Sequence, residues 1–231
     1  MLLTAFEKEF GKEIIYSPGQ IEITIPVVEK IIGILNVFLF NKKLFKIQIE
    51  FCKDLNALND LTKHFYNVEE LDKEDEKIDK YAAYLPDFDL GRVKQTGEIV
   101  AKFNKELVAF NIEKQFNFML LASTICHEMI HRYDAFFGEG KIMMYWKKLH
   151  HKVDMHTTPT FIKLMKLANK EGLKVKPTTE EMSCQQLNKE ALDFSKMLEE
   201  SGSPKKVKLV KHFSDNIEII ETNSVCLADF Y

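Results

Sequence analysis

Thr124-Ile125-Cys126-His127-Glu128-Met129-Ile130-His131-Arg132-Tyr133-Asp134 is the stretch from which the rest of the chain is read. It lies in a run from Glu113 to Asp134 that contains no Gly or Pro. Phe118, Ala122, Ile125 and Met129 form one row at helical spacing; Phe116, Leu120, Thr124, His127 and His131 form another. A helix apolar on most of its sides is a buried helix. Histidines four apart stand one above the other on such a helix, and their imidazoles suit two adjacent corners of a zinc tetrahedron. Glu128 is turned about 100° from His127, so it flanks a metal without having to ligate it. There it can take a proton from a zinc-bound water, the HExxH arrangement of metallopeptidases. Chance would place this pattern in about one sequence in fifty of this composition. Burying a histidine pair and a glutamate with no purpose is costly, which weighs against chance.

A peptidase site needs a third protein ligand and one open position. The short metzincin spacing fails, because Asp134 and Phe137 stand where glycine and histidine are required. Asp134, one turn past His131, is a candidate, either as ligand or as acceptor for a histidine N–H. Glu139 is a carboxylate candidate between two glycines. His150 and His151 lie in a lysine-rich polar stretch and read as solvated. His156 precedes a helix opened by Pro159 that would hold it rigidly, and it is the preferred ligand; Asp134 and Glu139 stay as alternatives.

Working outward, Ile21, Ile23 and Ile25 alternate with polar residues and predict a short strand. Pro26 suits the first turn of a helix towards Phe40, with Val27, Ile31, Ile34, Leu35 and Phe38 on one stripe. Asn41-Lys42-Lys43 reads as a turn and Leu44 to Cys52 as a half-buried strand. Asn59 to Lys80 reads as a solvated helix or insertion, Gly97 to Asn104 as a second strand, and Leu107 to Ile112 as a third. Gly138-Glu139-Gly140 ends the motif helix. The Pro159 helix turns Phe161, Leu164, Met165 and Ala168 inward and ends at Gly172. In the tail, Leu187, Ala191, Phe194 and Leu198 fit an amphipathic helix, and Val207 to Phe213 with Ile217 to Thr222 a β-hairpin.

With 231 residues, 45% hydrophobic and 29% charged, the chain can bury a core. A net charge of -3 gives no strong overall attraction to nucleic acid or membrane. The charge is uneven, however: Glu69 to Asp89 holds nine acids against three lysines, and Lys141 to Lys176 nine lysines against two acids. Cys52, Cys126, Cys184 and Cys226 form no CxxC pair, which suggests reduced thiols and a cytoplasmic setting, or a host's cytoplasm if the chain is viral. The first ten residues lack a basic n-region, so no signal peptide is expected, and no apolar run is long enough to span a membrane.

The run TICHEMIHRYD, then His156 25 residues after His131, then Phe161-Ile162-Lys163-Leu164-Met165, resembles the SprT-like (Spartan-related) zinc metallopeptidases over roughly residues 20 to 175. The layout before the motif is similar too, with a helix ending in a Phe-rich segment and then two strands. The resemblance implies an α+β, zincin-like core, a small mixed sheet packed on a buried HExxH helix. It implies His127, His131 and His156 as zinc ligands and Glu128 as catalytic base. Residues 1–176 would form the peptidase domain. Residues 177–231 would add a helix and hairpin, in the place where many relatives carry a cysteine-rich zinc ribbon; here there are no cysteine pairs. The family usually has a glycine beside the third histidine and one residue fewer before the Phe, where this chain reads Met155-His156-Thr157-Thr158-Pro159-Thr160-Phe161.

The expectation is a zinc hydrolase acting on protein substrates, DNA-associated proteins among them by the resemblance. The Lys141–Lys176 segment would then track phosphates, or form a solvated helix face. The alternative is a non-enzymatic binding or assembly protein keeping the metal as a structural staple.

Overall fold

A computed structural model describes residues 1–66, 80–92, 99–138, 140, 156, 158–176, 207–213 and 216–220. In chain order the elements are α1 (Leu2–Phe10), α2 (Lys12–Ile15), α3 (Ile25–Phe38), β1 (Gln48–Cys52), α4 (Leu55–Tyr66), β2 (Ala82–Arg92), β3 (Ile99–Asn111), α5 (Phe118–Phe137), α6 (Pro159–Lys170), β4 (Val207–Phe213) and β5 (Asn216–Ile220). The architecture is α+β.

The sheet is organised by β3. Its C-terminal half pairs in parallel with β1, Gln48 opposite Leu107, and its N-terminal half in parallel with β4, Ile99 opposite Val207. β2 runs antiparallel along the whole of β3, with a register shift at Asp87/Phe88. β4 and β5 form the antiparallel hairpin, so the hairpin extends this same sheet. Alternation along β3 sends Val108 and Phe110 into the main core with α1, α3, α5 and α6. Leu107 and Ala109 go to a second cluster with Leu58 of α4 on the other face. Covering on both faces explains why Leu107 to Phe110 is a continuous apolar run.

α5 is the central helix. Asn117 caps it by accepting from the Leu120 N–H at 2.9 Å. Phe118, Ala122, Ile125 and Met129 are fully buried, as the first helical row requires. Phe116 lies before the helix, in the turn that follows β3. α6 begins at Pro159 and buries Phe161, Met165 and Ala168 against the core.

Several expectations change. Ile21 to Thr24 is not a strand; the Ile21 N–H bonds the Phe116 carbonyl at 2.8 Å, and Ile21 and Ile23 pack on the core from an extended lead into α3. On α3, Ile31 and Leu35 are buried as expected and Val27 and Ile34 pack against the core, but Val28 is buried as well and Phe38 is exposed. β1 starts only at Gln48. Upstream, the Phe45 carbonyl accepts from the Arg132 guanidinium instead of a strand, and the Phe45 ring is exposed. The two strands expected at 97–104 and 107–112 are one strand, and the polar Glu106 between them is half of a buried ion pair with Arg132. β2 has no counterpart in the sequence reading. The expected tail helix at 187–198 and the residues 67–79 of the acidic stretch lie outside the described residues.

Candidate metal centre

The two faces of α5 divide the labour of the motif. Ile125, Cys126, Met129 and Ile130 are buried, while His127 and His131 are half-buried beside α6. The His131 Nε2 is 3.0 Å from the His127 Nε2. His156, just ahead of α6, brings its Nε2 to 3.2 Å from the same atom. Two zinc–nitrogen bonds of ~2.0–2.1 Å at a tetrahedral angle put their nitrogens about 3.3 Å apart. Both separations from the His127 Nε2 suit neighbouring ligands of one ion, and the three ligand atoms all lie within 4.8 Å of one another.

The tautomer fits as well. The Lys176 carbonyl lies 2.8 Å from the His127 Nδ1 and can only accept, so the proton sits on Nδ1 and the Nε2 lone pair faces the other two rings. That carbonyl is itself held in place. Asn169 bonds both the N–H and the carbonyl of Val175, at 2.7 and 2.9 Å, and the Lys174 N–H donates to Ser123 Oγ of α5 at 3.0 Å. Beneath the imidazoles lies the fully buried Phe161 ring, its centroid 5.3, 4.7 and 5.2 Å from those of His127, His131 and His156.

Glu128, about 100° round the helix from His127, reaches the sheet. Its Oε2 accepts the Tyr84 N–H at 2.7 Å. The Asn111 N–H bonds the Tyr81 carbonyl, so the main-chain groups of Ala83 and Leu85 face β3. Those of Ala82, Tyr84 and Pro86 face outward, and Pro86 has no N–H to leave unmet. Burial pushes the Glu128 carboxyl up to about 7, against the lowering effects of the Tyr84 N–H and Lys80. One turn on, Arg132 is fully buried and forks onto Glu106 of β3, whose Oε2 also accepts from the Tyr84 hydroxyl at 3.1 Å. Tyr84 thus ties the Arg132–Glu106 pair to Glu128, through its side chain on one hand and its main chain on the other.

Of the residues singled out from sequence, His127, His131 and His156 come together, and they form the group of potential metal ligands among the described residues. Asp134 is not in that group. It is fully buried, and its carboxylate accepts from the Thr158 hydroxyl at 2.6 Å and the Gly140 N–H at 3.0 Å. Glu139, His150 and His151 lie outside the described residues, as do the lysines at 141, 147, 148 and 152. Lys163, Lys166, Lys170, Lys174 and Lys176 are exposed. Tyr84, Glu106, Arg132, Thr158 and Asn169 were not anticipated as parts of the site's frame. Only Arg132, adjacent to the motif and on a buried face, carried a signal that could have found it.

No helix among the described residues is long and apolar enough to cross a membrane. No family model, no curated protein and no solved structure matches the chain.

Proposed function

We propose that this chain is a zinc-dependent peptidase of SprT-like type, cutting protein substrates, DNA-associated proteins among them. The observation that carries the reading is the convergence of three imidazole Nε2 atoms at 3.0 and 3.2 Å, with a buried glutamate next to the first of them in sequence. His127, His131 and His156 would hold the ion. When bound, zinc supplies Lewis acidity, lowering the pKa of water towards ~7 and polarising a scissile carbonyl.

The rest belongs to the chain's own residues. Glu128 takes the proton of the attacking water and passes it to the leaving amine. Burial raises this carboxyl above its ordinary range, which makes it a stronger proton acceptor. The Tyr84 N–H aims the carboxylate, and the Arg132–Glu106 pair fixes Tyr84. The outward main-chain groups of Ala82, on the edge of the sheet, offer an extended peptide a place to lie against. The exposed lysines of α6, Lys163, Lys166 and Lys170, supply positive charge on an adjoining face.

The test is zinc analysis together with cleavage of unfolded and DNA-bound protein by the wild type and Glu128→Gln. The reading expects zinc in both, with activity in the variant down by about 10²-fold or more. Zinc-loaded wild type that is inert towards both substrates would leave the ion a structural staple and refute the enzyme.

A further inference from the structure

We infer that Asp134 and Thr158 are positioning residues for the third imidazole, and that the glycines at 138 and 140 leave room for the Asp134 carboxylate. The inference rests on the metal-site reading above and deepens it.

His127 and His131 need no help to find each other, because four residues of helix set their separation. His156 reaches them from 25 positions along the chain. Its place depends on tertiary ties near it, and a ligand set tolerates only about 0.5 Å of error. Thr158, two residues on, is fully buried and uses its hydroxyl twice. The hydroxyl donates to Asp134 Oδ2 at 2.6 Å and accepts the Phe161 N–H at 3.1 Å, the bond that caps α6. A hydrogen bond to a buried carboxylate is short and strong. It joins the helix of the first two imidazoles directly to the start of the helix behind the third. The same hydroxyl sets Phe161, whose ring contacts all three imidazoles.

The two glycines are explained by the same carboxylate. A Cβ at Gly138 would overlap Asp134 Oδ1 and stand 2.7 Å from the Thr160 side chain. A Cβ at Gly140 would stand 2.8 Å from both the Asp134 carbonyl carbon and Oδ2. Any side chain at either position would push the carboxylate off Thr158. The two glycines therefore do more than follow the helix: they leave room for the Asp134 carboxylate, and the Gly140 N–H donates to its Oδ1.

The test uses the full chain and cobalt(II) as the probe, read by its visible spectrum and by titration, with melting of the metal-free protein alongside. The variants are Thr158→Val, Thr158→Ser, Asp134→Asn and His156→Ala, with Leu58→Ala on the far face of the sheet to show what lost stability does by itself. Thr158→Val and Asp134→Asn are expected to bind cobalt about 10- to 100-fold more weakly. Their spectra should shift towards that of His156→Ala. Thr158→Ser should keep wild-type affinity and spectrum. If Thr158→Val and Asp134→Asn keep both, or lose no more affinity than Leu58→Ala, the inference is overturned and the metal reading stands. A wild-type chain that takes up no cobalt, or one whose uptake is unchanged in His156→Ala, overturns the metal reading and this inference with it.

Discussion

Arg132→Ala should be among the most damaging single substitutions outside the histidines. Arg132 is 1% exposed and Glu106 9%. The guanidinium meets both carboxylate oxygens of Glu106 and donates to the Phe45 carbonyl as well. Truncation leaves the Glu106 carboxylate in the core with the Tyr84 hydroxyl, and the Phe45 carbonyl without its guanidinium donor. Breaking a buried pair from one side costs about 3–5 kcal/mol, because the remaining charge loses its opposite charge while still buried. At 2–4 °C per kcal/mol for a domain of this size, the midpoint should fall by about 6–20 °C. Removing both charges together removes the penalty. Arg132→Met with Glu106→Leu should recover most of the loss, and is expected within about 1–2 kcal/mol of wild type. Urea unfolding of the two single variants and the double variant in metal-free protein measures the cycle. The reasoning is refuted if Arg132→Ala costs under about 1 kcal/mol, or if the double variant costs as much as the singles combined. The double variant should still lose activity in the proposed enzyme, because Tyr84 no longer has Glu106 to hold it.

Phe161→Ala should cost about 3–5 kcal/mol in denaturant unfolding, since its fully buried ring fills the space under three imidazoles. Asn169→Ala should release the Lys176 carbonyl from His127 and weaken zinc by about 10-fold or more with little change in helix content, checked by competition with a chelator and circular dichroism. Gly138→Ala should lower the melting temperature of metal-free protein by more than an Ala placed at the open Gly33, where a Cβ meets nothing within 4 Å. Cys126 should resist thiol reagents in the folded protein and react on unfolding, because it is fully buried and burial drives its thiol well above the ordinary range. Rapid labelling under native conditions would contradict that placement.

What could be read from sequence was what has a period. The apolar rows of α5, the Pro-initiated α3 and α6, and the hairpin in the tail follow from side-chain spacing within one element. The pair His127 and His131 was legible for the same reason, since one helix sets their geometry. What was not legible depends on partners far along the chain. β2 hides behind Pro86, Asp87 and Asp89, residues that argue against a strand until its outward edge is seen beside α5. The polar Lys105-Glu106 step separates two strand patterns in the sequence of β3; Glu106 is half of an ion pair whose other half lies 26 positions on. Asp134 looked like a ligand because it shares a helix face with His131. Thr158, which takes its carboxylate, comes 24 positions later.

The most direct test of the central claim is the zinc content of the purified chain after equilibration with zinc and removal of the excess, measured for wild type and for His156→Ala. Close to one zinc per wild-type chain, and a large loss in the variant while its circular dichroism stays native, is the predicted result. Metal-free wild type, or full zinc retention in His156→Ala, would contradict a centre built from His127, His131 and His156.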